Sequence, residues 1–453
     1  MPRALAWTLI GGFGDAAVAM ATQRVMWETQ AMIRHVASKT ASANEVGLDN
    51  ARLLNDLKLW RCHESQSVLQ CLEDLLPDQQ KYLVTMWSRI LPHSLHPSRI
   101  AITDKLFNTQ KQGIQVVFNP ARPLRDDYFS PPSIFRSNCS ESDSALYTPV
   151  VPKSYPITDI TLVVVMNFAD LVRNIPLLEF LHARAFRHII YCAVSMDVYI
   201  EWYHSTPSVQ TTPVSFIEAE VDYHNRGDQG FVCAMEVLKM GYKTRGVFQL
   251  ADDALLNTWN VNALPRDRPW YHFRHFKMSL VEGNPQSHCF TCGRWGAWPY
   301  FAKNITGAWN AMHRYANMQG SAPEKIEAQS FLEQLRQNTG FEEWVVYGGS
   351  DVFYISHEYS ERFLFATTVF HNYKVNLEFA TPTLIYGIAP HRLIVEMAGK
   401  YLWFGDRDHI PNFYSHLDIF MHAYKASLLQ DTEQVRWFCK HHILNLDGWL
   451  KKH

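Results

Sequence analysis

From residue 157 to residue 256 the apolar positions fall into two alternating patterns. ITDITLVVVMNFA is an almost continuous β-branched run, the mark of a strand buried on both faces. LVRNIPLLEFLHARAF follows and predicts a helix, with Pro176 tolerated at its start or at a kink. FRHIIYCAVSM and VSFIEAEV predict a second and a third buried strand. DQGFVCAMEVLKMGYKT carries an apolar stripe at Phe231, Met235, Val237 and Met240, as a helix would. TRGVFQLADDALL predicts a fourth strand that runs into two carboxylates. Strand–helix–strand alternation of this kind folds as a mainly parallel, right-handed α/β sheet, whose ligands gather at the carboxyl ends of the strands.

The flanking segments read differently. In residues 22–95, ARLLNDLKLW and SVLQCLEDLL space leucines by three and four and predict helices. Residues 96–155 are broken by prolines and serines and read as a linker or stem. At residues 4–21 an apolar segment follows Arg3, with Asp15 inside it. It is a degraded signal or membrane anchor, or else an ordinary buried segment. The expected organisation is a helical N-terminal region over 1–95, a stem over 96–155, the α/β domain over 156–430 and a tail over 431–453.

Composition narrows the function. The chain has 453 residues, with 42 Lys and Arg against 44 Asp and Glu, and this balance argues against a nucleic-acid partner. The basic-aromatic stretch RDRPWYHFRHFK is then a solvated loop. With 47% hydrophobic residues the chain has ample apolar surface for a core. Eight cysteines are too sparse for a disulfide scaffold. Cys289 and Cys292 form a CxxC without a second ligand pair, which disfavours zinc and leaves two thiols or one local disulfide. Asn138-Cys-Ser and Asn304-Ile-Thr fit the acceptor tripeptide for N-glycosylation and permit a lumenal address.

The candidate chemistry starts at Asp252-Asp253. Adjacent aspartates at a strand end repel unless a cation lies beside them, and a hard divalent ion is the simplest one. In this setting the sequence resembles nucleotide-sugar glycosyltransferases of the GT-A type over roughly residues 157–428. The resemblance is carried by ITLVVVMNFA, FRHIIYCA and GVFQLADDALLNTWN, with Asp-Asp-Ala standing where the family has a DxD-like motif. Three later segments add to it: WGAWPYFAKNITGAWNAM, the stretch from GSDVFYI to NLEFATPT, and YLWFGDRDHIPNFYSHLDIFMHAYKAS.

The resemblance implies a fold and a set of roles. The fold class is α/β: a GT-A-like, mainly parallel mixed sheet flanked by helices, preceded by a helical or irregular N-terminal region. A sugar would pass from a nucleotide-diphosphate donor to a hydroxyl of a glycan or glycoprotein acceptor, with Mn²⁺ or Mg²⁺ as cofactor, in the Golgi or secretory lumen. Either aspartate could be the direct metal ligand. Asp253 is favoured, with Asp252 near the ribose or sugar. His422 would complete the metal site, Lys425 would meet the diphosphate, and Asn167 would join the donor site. Trp295, Trp298 and Tyr300 would form an acceptor-side wall on which sugars stack. Glu378, in an apolar surround, would be the base of an inverting reaction. His422 also reads as a residue on a helix face. Asp406, Arg407 and Asp408 are polar neighbours without a role. Two alternatives share the sheet: a non-catalytic GT-A-like glycan- or partner-binding protein, and a sugar-nucleotide nucleotidyltransferase, although MNFADLVRN lacks the latter's glycine-rich phosphate loop.

Overall fold

The computed structural model describes residues 115–117, 132–140, 146–166, 168–193, 195–205, 214–219, 229–272, 275–280, 298–320, 322–341, 343–402 and 404–453. The helices expected over 22–95, the apolar segment at 4–21 and the CxxC pair lie outside them. The chain forms two compact units, one of residues 1–122 with 213–216, the other of residues 123–212 with 217–453. In the first, the described residues include the short strand Gln115–Val117.

Seven strands of the main sheet lie in the order Ser215–Glu218, Phe186–Ala193, Ile157–Val165, Gly246–Ala251, Val352–Ser356, Trp270–Tyr271, Val395–Glu396. Ile157–Val165 pairs in parallel with both Phe186–Ala193 and Gly246–Ala251. Val352–Ser356 then runs antiparallel to Gly246–Ala251 and to Trp270–Tyr271, so the sheet is mainly parallel but mixed. Trp270 and Tyr271 are fully buried, which corrects the solvated-loop reading of RDRPWYHFRHFK. The continuous apolar runs are what this arrangement needs. Every residue from Ile160 to Val165 and from Gly246 to Ala251 is buried, because helices cover both faces. The helix Gln229–Met240 packs on the three central parallel strands and on Ser360–Asn372 and Leu377–Ile388. The apolar stripe read from its sequence, Phe231, Met235, Val237 and Met240, is buried.

A small second sheet positions the candidate site. Ala254–Leu256 begins where the Asp252-Asp253 turn ends and runs antiparallel to Phe420–His422, which pairs in parallel with Gly399–Tyr401. Its register sets His422 opposite Ala254. His422 is therefore a strand residue, and the helix-face reading is corrected. His275–Ser279 and Trp344–Gly348 pair antiparallel as a third, two-stranded sheet, on which Pro323–Thr339 and Leu377–Ile388 pack, with Trp298–Ala316 lying against Pro323–Thr339.

Residues 431–453, expected as a tail, form a helical run of Thr432–Phe438, a π-turn over Cys439–Ile443 and Leu444–Leu450. This run buries Val435, Phe438 and Ile443 against Phe135, Tyr147 and Phe180, two of which come from the expected stem. Arg184, fully buried, pairs with Asp447 at 2.5 Å, and the Tyr147 hydroxyl donates to the same carboxylate. Four cysteines form two disulfides, Cys139–Cys439 and Cys192–Cys233. The sparse spacing gave no sign of them, because they bridge 300 and 41 residues of chain.

Candidate functional site

The acidic turn sits at the carboxyl end of the central parallel strands, held from both sides. The Asp252 amide donates to Val165 O at 2.9 Å, and the Ala251 amide donates to Asp351 O at 2.9 Å. These bonds fix three strand ends at one place: Ile157–Val165, Gly246–Ala251 and the entry to Val352–Ser356. Asp252 is buried at 8% exposure, whereas the Asp253 side chain keeps 22% of its surface. Of the two aspartates, Asp253 is thus the more open to a ligand.

The second sheet brings His422 to that carboxylate. His422 Nε2 lies 3.0 Å from Asp253 Oδ1 and 3.6 Å from Asp351 Oδ1. Asp351 was not singled out in the sequence, although it is the acid of GSDVFYI and directly precedes the strand Val352–Ser356. Burial alone would lower the His422 pKa, but Asp351 and Asp253 raise it to about 9. Burial acts on Asp253 in the opposite sense, yet His422, Lys425 and Arg407 hold its carboxyl below the usual range. Asp351 is pushed up by burial and by Asp253, against the pull of His422.

Two cations flank this pair. Lys425 is exposed, three residues beyond the His422 strand. Arg407 is half-buried, and its Nε donates to Leu402 O at 3.1 Å. The positive charges of both reach Asp253. The sequence reading left Arg407 without a role because the segment Phe404–His409 is a short 3-10 helix, a fold its composition does not announce.

Glu378 stands in the first turn of the helix Leu377–Ile388, whose N-cap is Asn376; the Asn376 side chain accepts from the Glu378 amide at 3.0 Å. Burial and the charge of Asp351 push the Glu378 carboxyl up to about 7, opposed by the Tyr347 hydroxyl and by His422. Tyr347 is the second residue missed. It comes from the strand Trp344–Gly348, packs on Phe379 and hydrogen-bonds Glu378. Asp253, His422, Lys425 and Glu378 come from three separate stretches of sequence and act on one electrostatic neighbourhood.

Four expected residues fall wholly or by their side chains outside the described structure. Asn167 and Trp295 lie outside the described residues. Trp298 and Tyr300 occupy the first turn of the helix Trp298–Ala316.

The donor set bears on a metal. Among the described residues, no group of three or more His, Cys, Asp or Glu side chains is arranged to hold an ion. Two protein donors remain, Asp253 Oδ1 and His422 Nε2. An octahedral ion with bonds of about 2.1 Å holds neighbouring ligand atoms about 3 Å apart, which their separation matches. Asp253 Oδ1 already faces His422 Nε2, so an ion held by the two would replace the proton that joins them. The pair fits an ion that keeps its other positions for water and phosphate oxygens, the habit of Mg²⁺ and similar hard cations. No family model matches the chain, and no curated protein matches it.

Proposed function

We propose that the protein is a GT-A-type glycosyltransferase that moves a sugar from a nucleotide-diphosphate donor to a hydroxyl of a glycan or glycoprotein. The observation that supports this reading most is the contact of Asp253 with His422 at the carboxyl end of the parallel strands. Asp253 and His422 would hold Mn²⁺ or Mg²⁺, which supplies charge neutralisation to the donor diphosphate. Lys425 and Arg407 bring positive charge to the same place, where the leaving diphosphate gathers negative charge in the transition state. Glu378 has the protonation behaviour of a general base, since a carboxyl with a pKa of about 7 both accepts a proton at neutral pH and retains basicity. In the proposed reaction it takes the proton of the acceptor hydroxyl as that oxygen attacks the anomeric carbon, and the configuration inverts. The raised pKa, set first by burial, supports the base role given to Glu378.

Thermal unfolding with a panel of nucleoside-diphosphate sugars, each with and without Mn²⁺, tests the proposal. At a donor concentration about 100 times Kd the native state gains about 2.7 kcal/mol, enough for a clear rise in melting temperature. One donor should show that rise only with Mn²⁺, and Asp253→Asn should remove it. A flat response across the panel would end the transferase reading.

A further inference from the structure

All four described cysteines are paired and nearly inaccessible, Cys192 and Cys233 at 0% exposure and Cys139 and Cys439 at 3%. Buried disulfides of this kind form in oxidising compartments, where Asn-X-Ser/Thr acceptors are also glycosylated. The two acceptor tripeptides differ in what the fold asks of their side-chain nitrogen. Asn138 Nδ2 donates to Ile134 O at 2.8 Å and to Ser137 Oγ at 3.3 Å, so both of its hydrogens are in use. Its middle residue is Cys139, tied to Cys439. Asn304 is half-exposed on the helix Trp298–Ala316, beside the buried Ile305 and ahead of the exposed Thr306. Among the described residues Asn304 Nδ2 donates one bond, to Lys374 O at 3.0 Å. A sugar on this nitrogen replaces one hydrogen and leaves the other, so the bond to Lys374 survives, and the glycan leaves the helix on its solvent side.

We propose that Asn304 carries an N-linked glycan and that Asn138 does not. The step joins Asn304 Nδ2 to the anomeric carbon of an oligosaccharide carried on a lipid diphosphate, the class of donor used in the secretory lumen. The bond from that carbon to the diphosphate oxygen breaks, the lipid diphosphate leaves, and Nδ2 gives up one proton.

The test is expression of the full chain in a eukaryotic host, followed by peptide-N-glycosidase digestion in ¹⁸O water. The expected result is a single gain in gel mobility, with the ¹⁸O-aspartate mark at position 304 and none at 138. Asn304→Gln should abolish the shift. Thr306→Ala should abolish it too while keeping the Asn304 amide in place, which covers a misfolded Asn304→Gln. Asn138→Gln should leave the shift intact. An unshifted wild-type band overturns the proposal, as does a shift that persists in both Asn304→Gln and Thr306→Ala. Maleimide labelling of Cys192 and Cys233 in the denatured, unreduced chain would overturn its premise as well.

Discussion

At the scale of single residues, Glu378 gives the sharpest test, because burial and charge separate its two roles. Glu378→Gln keeps the size and the Asn376 cap but removes the basic oxygen. Transfer should fall by at least 10²-fold, within the usual span of general-base contributions, while donor binding stays within a factor of about two. Equal loss of both would make the residue a structural one. The wild-type rate should also rise with pH through an apparent pKa near 7, since the base must be deprotonated and burial with Asp351 sets that value. A profile flat from pH 5.5 to 8.5 would remove Glu378 from the reaction. Residue-level chemistry was partly legible in the sequence. Paired acids at the end of an apolar run and a lone glutamate among apolar neighbours are visible as text. Asp351 and Tyr347 were not, since an acid before a strand and a tyrosine within one are commonplace until registry sets them beside His422 and Glu378.

At the scale of elements, the site depends on how strands and helices begin and end. The helix Leu377–Ile388 starts at Asn376, and loss of a capping side chain costs about 1 kcal/mol. Asn376→Ala should lower the unfolding free energy in urea by about that amount. It should also cut turnover more than the small stability loss explains, because the cap fixes the turn that presents Glu378. Turnover unchanged in a destabilised Asn376→Ala variant would show that the cap serves stability alone. The buried parallel strands and the helix Gln229–Met240 were readable from periodicity, because a strand covered on both faces must be apolar throughout. The second sheet was not. Its strands Ala254–Leu256, Gly399–Tyr401 and Phe420–His422 are three residues each, too short to show a period, and only their long-range pairing defines them.

At the scale of the whole molecule, the C-terminal helical run closes the α/β unit, and a buried histidine of that run, with one at the end of the helix Ile175–His182, makes stability sensitive to acid. His182 and His442 are each 1% exposed. Both ring nitrogens of His182, and Nδ1 of His442, are buried without hydrogen-bond partners among the described residues. The His442 ring stacks on Phe438 with centroids 4.9 Å apart. Burial drives both pKa values down to about 3, helped at His442 by the charges of His182 and Arg184. The unfolded chain takes up these protons near pH 6.5, whereas the native state takes them up only near pH 3. Stability from this source is therefore complete above pH 6.5 and declines as pH falls, by up to about 1.4 kcal/mol per pH unit for each histidine. Glu378 works against the trend. Its raised pKa makes the native state the one that holds a proton between pH 4.5 and 7, so it destabilises as pH rises. His422, Asp351 and Glu236, whose pKa values are also raised, act in the same sense as Glu378, so the histidine contribution is read from the change in slope on substitution rather than from the net slope. His442→Phe keeps an aromatic ring against Phe438 and has nothing to protonate. Urea unfolding at pH 7.5, 6.0 and 5.0 should show a shallower decline for this variant than for wild type, and a steeper one for Glu378→Gln. Identical slopes in all three proteins would mean that acid sensitivity arises elsewhere in the fold.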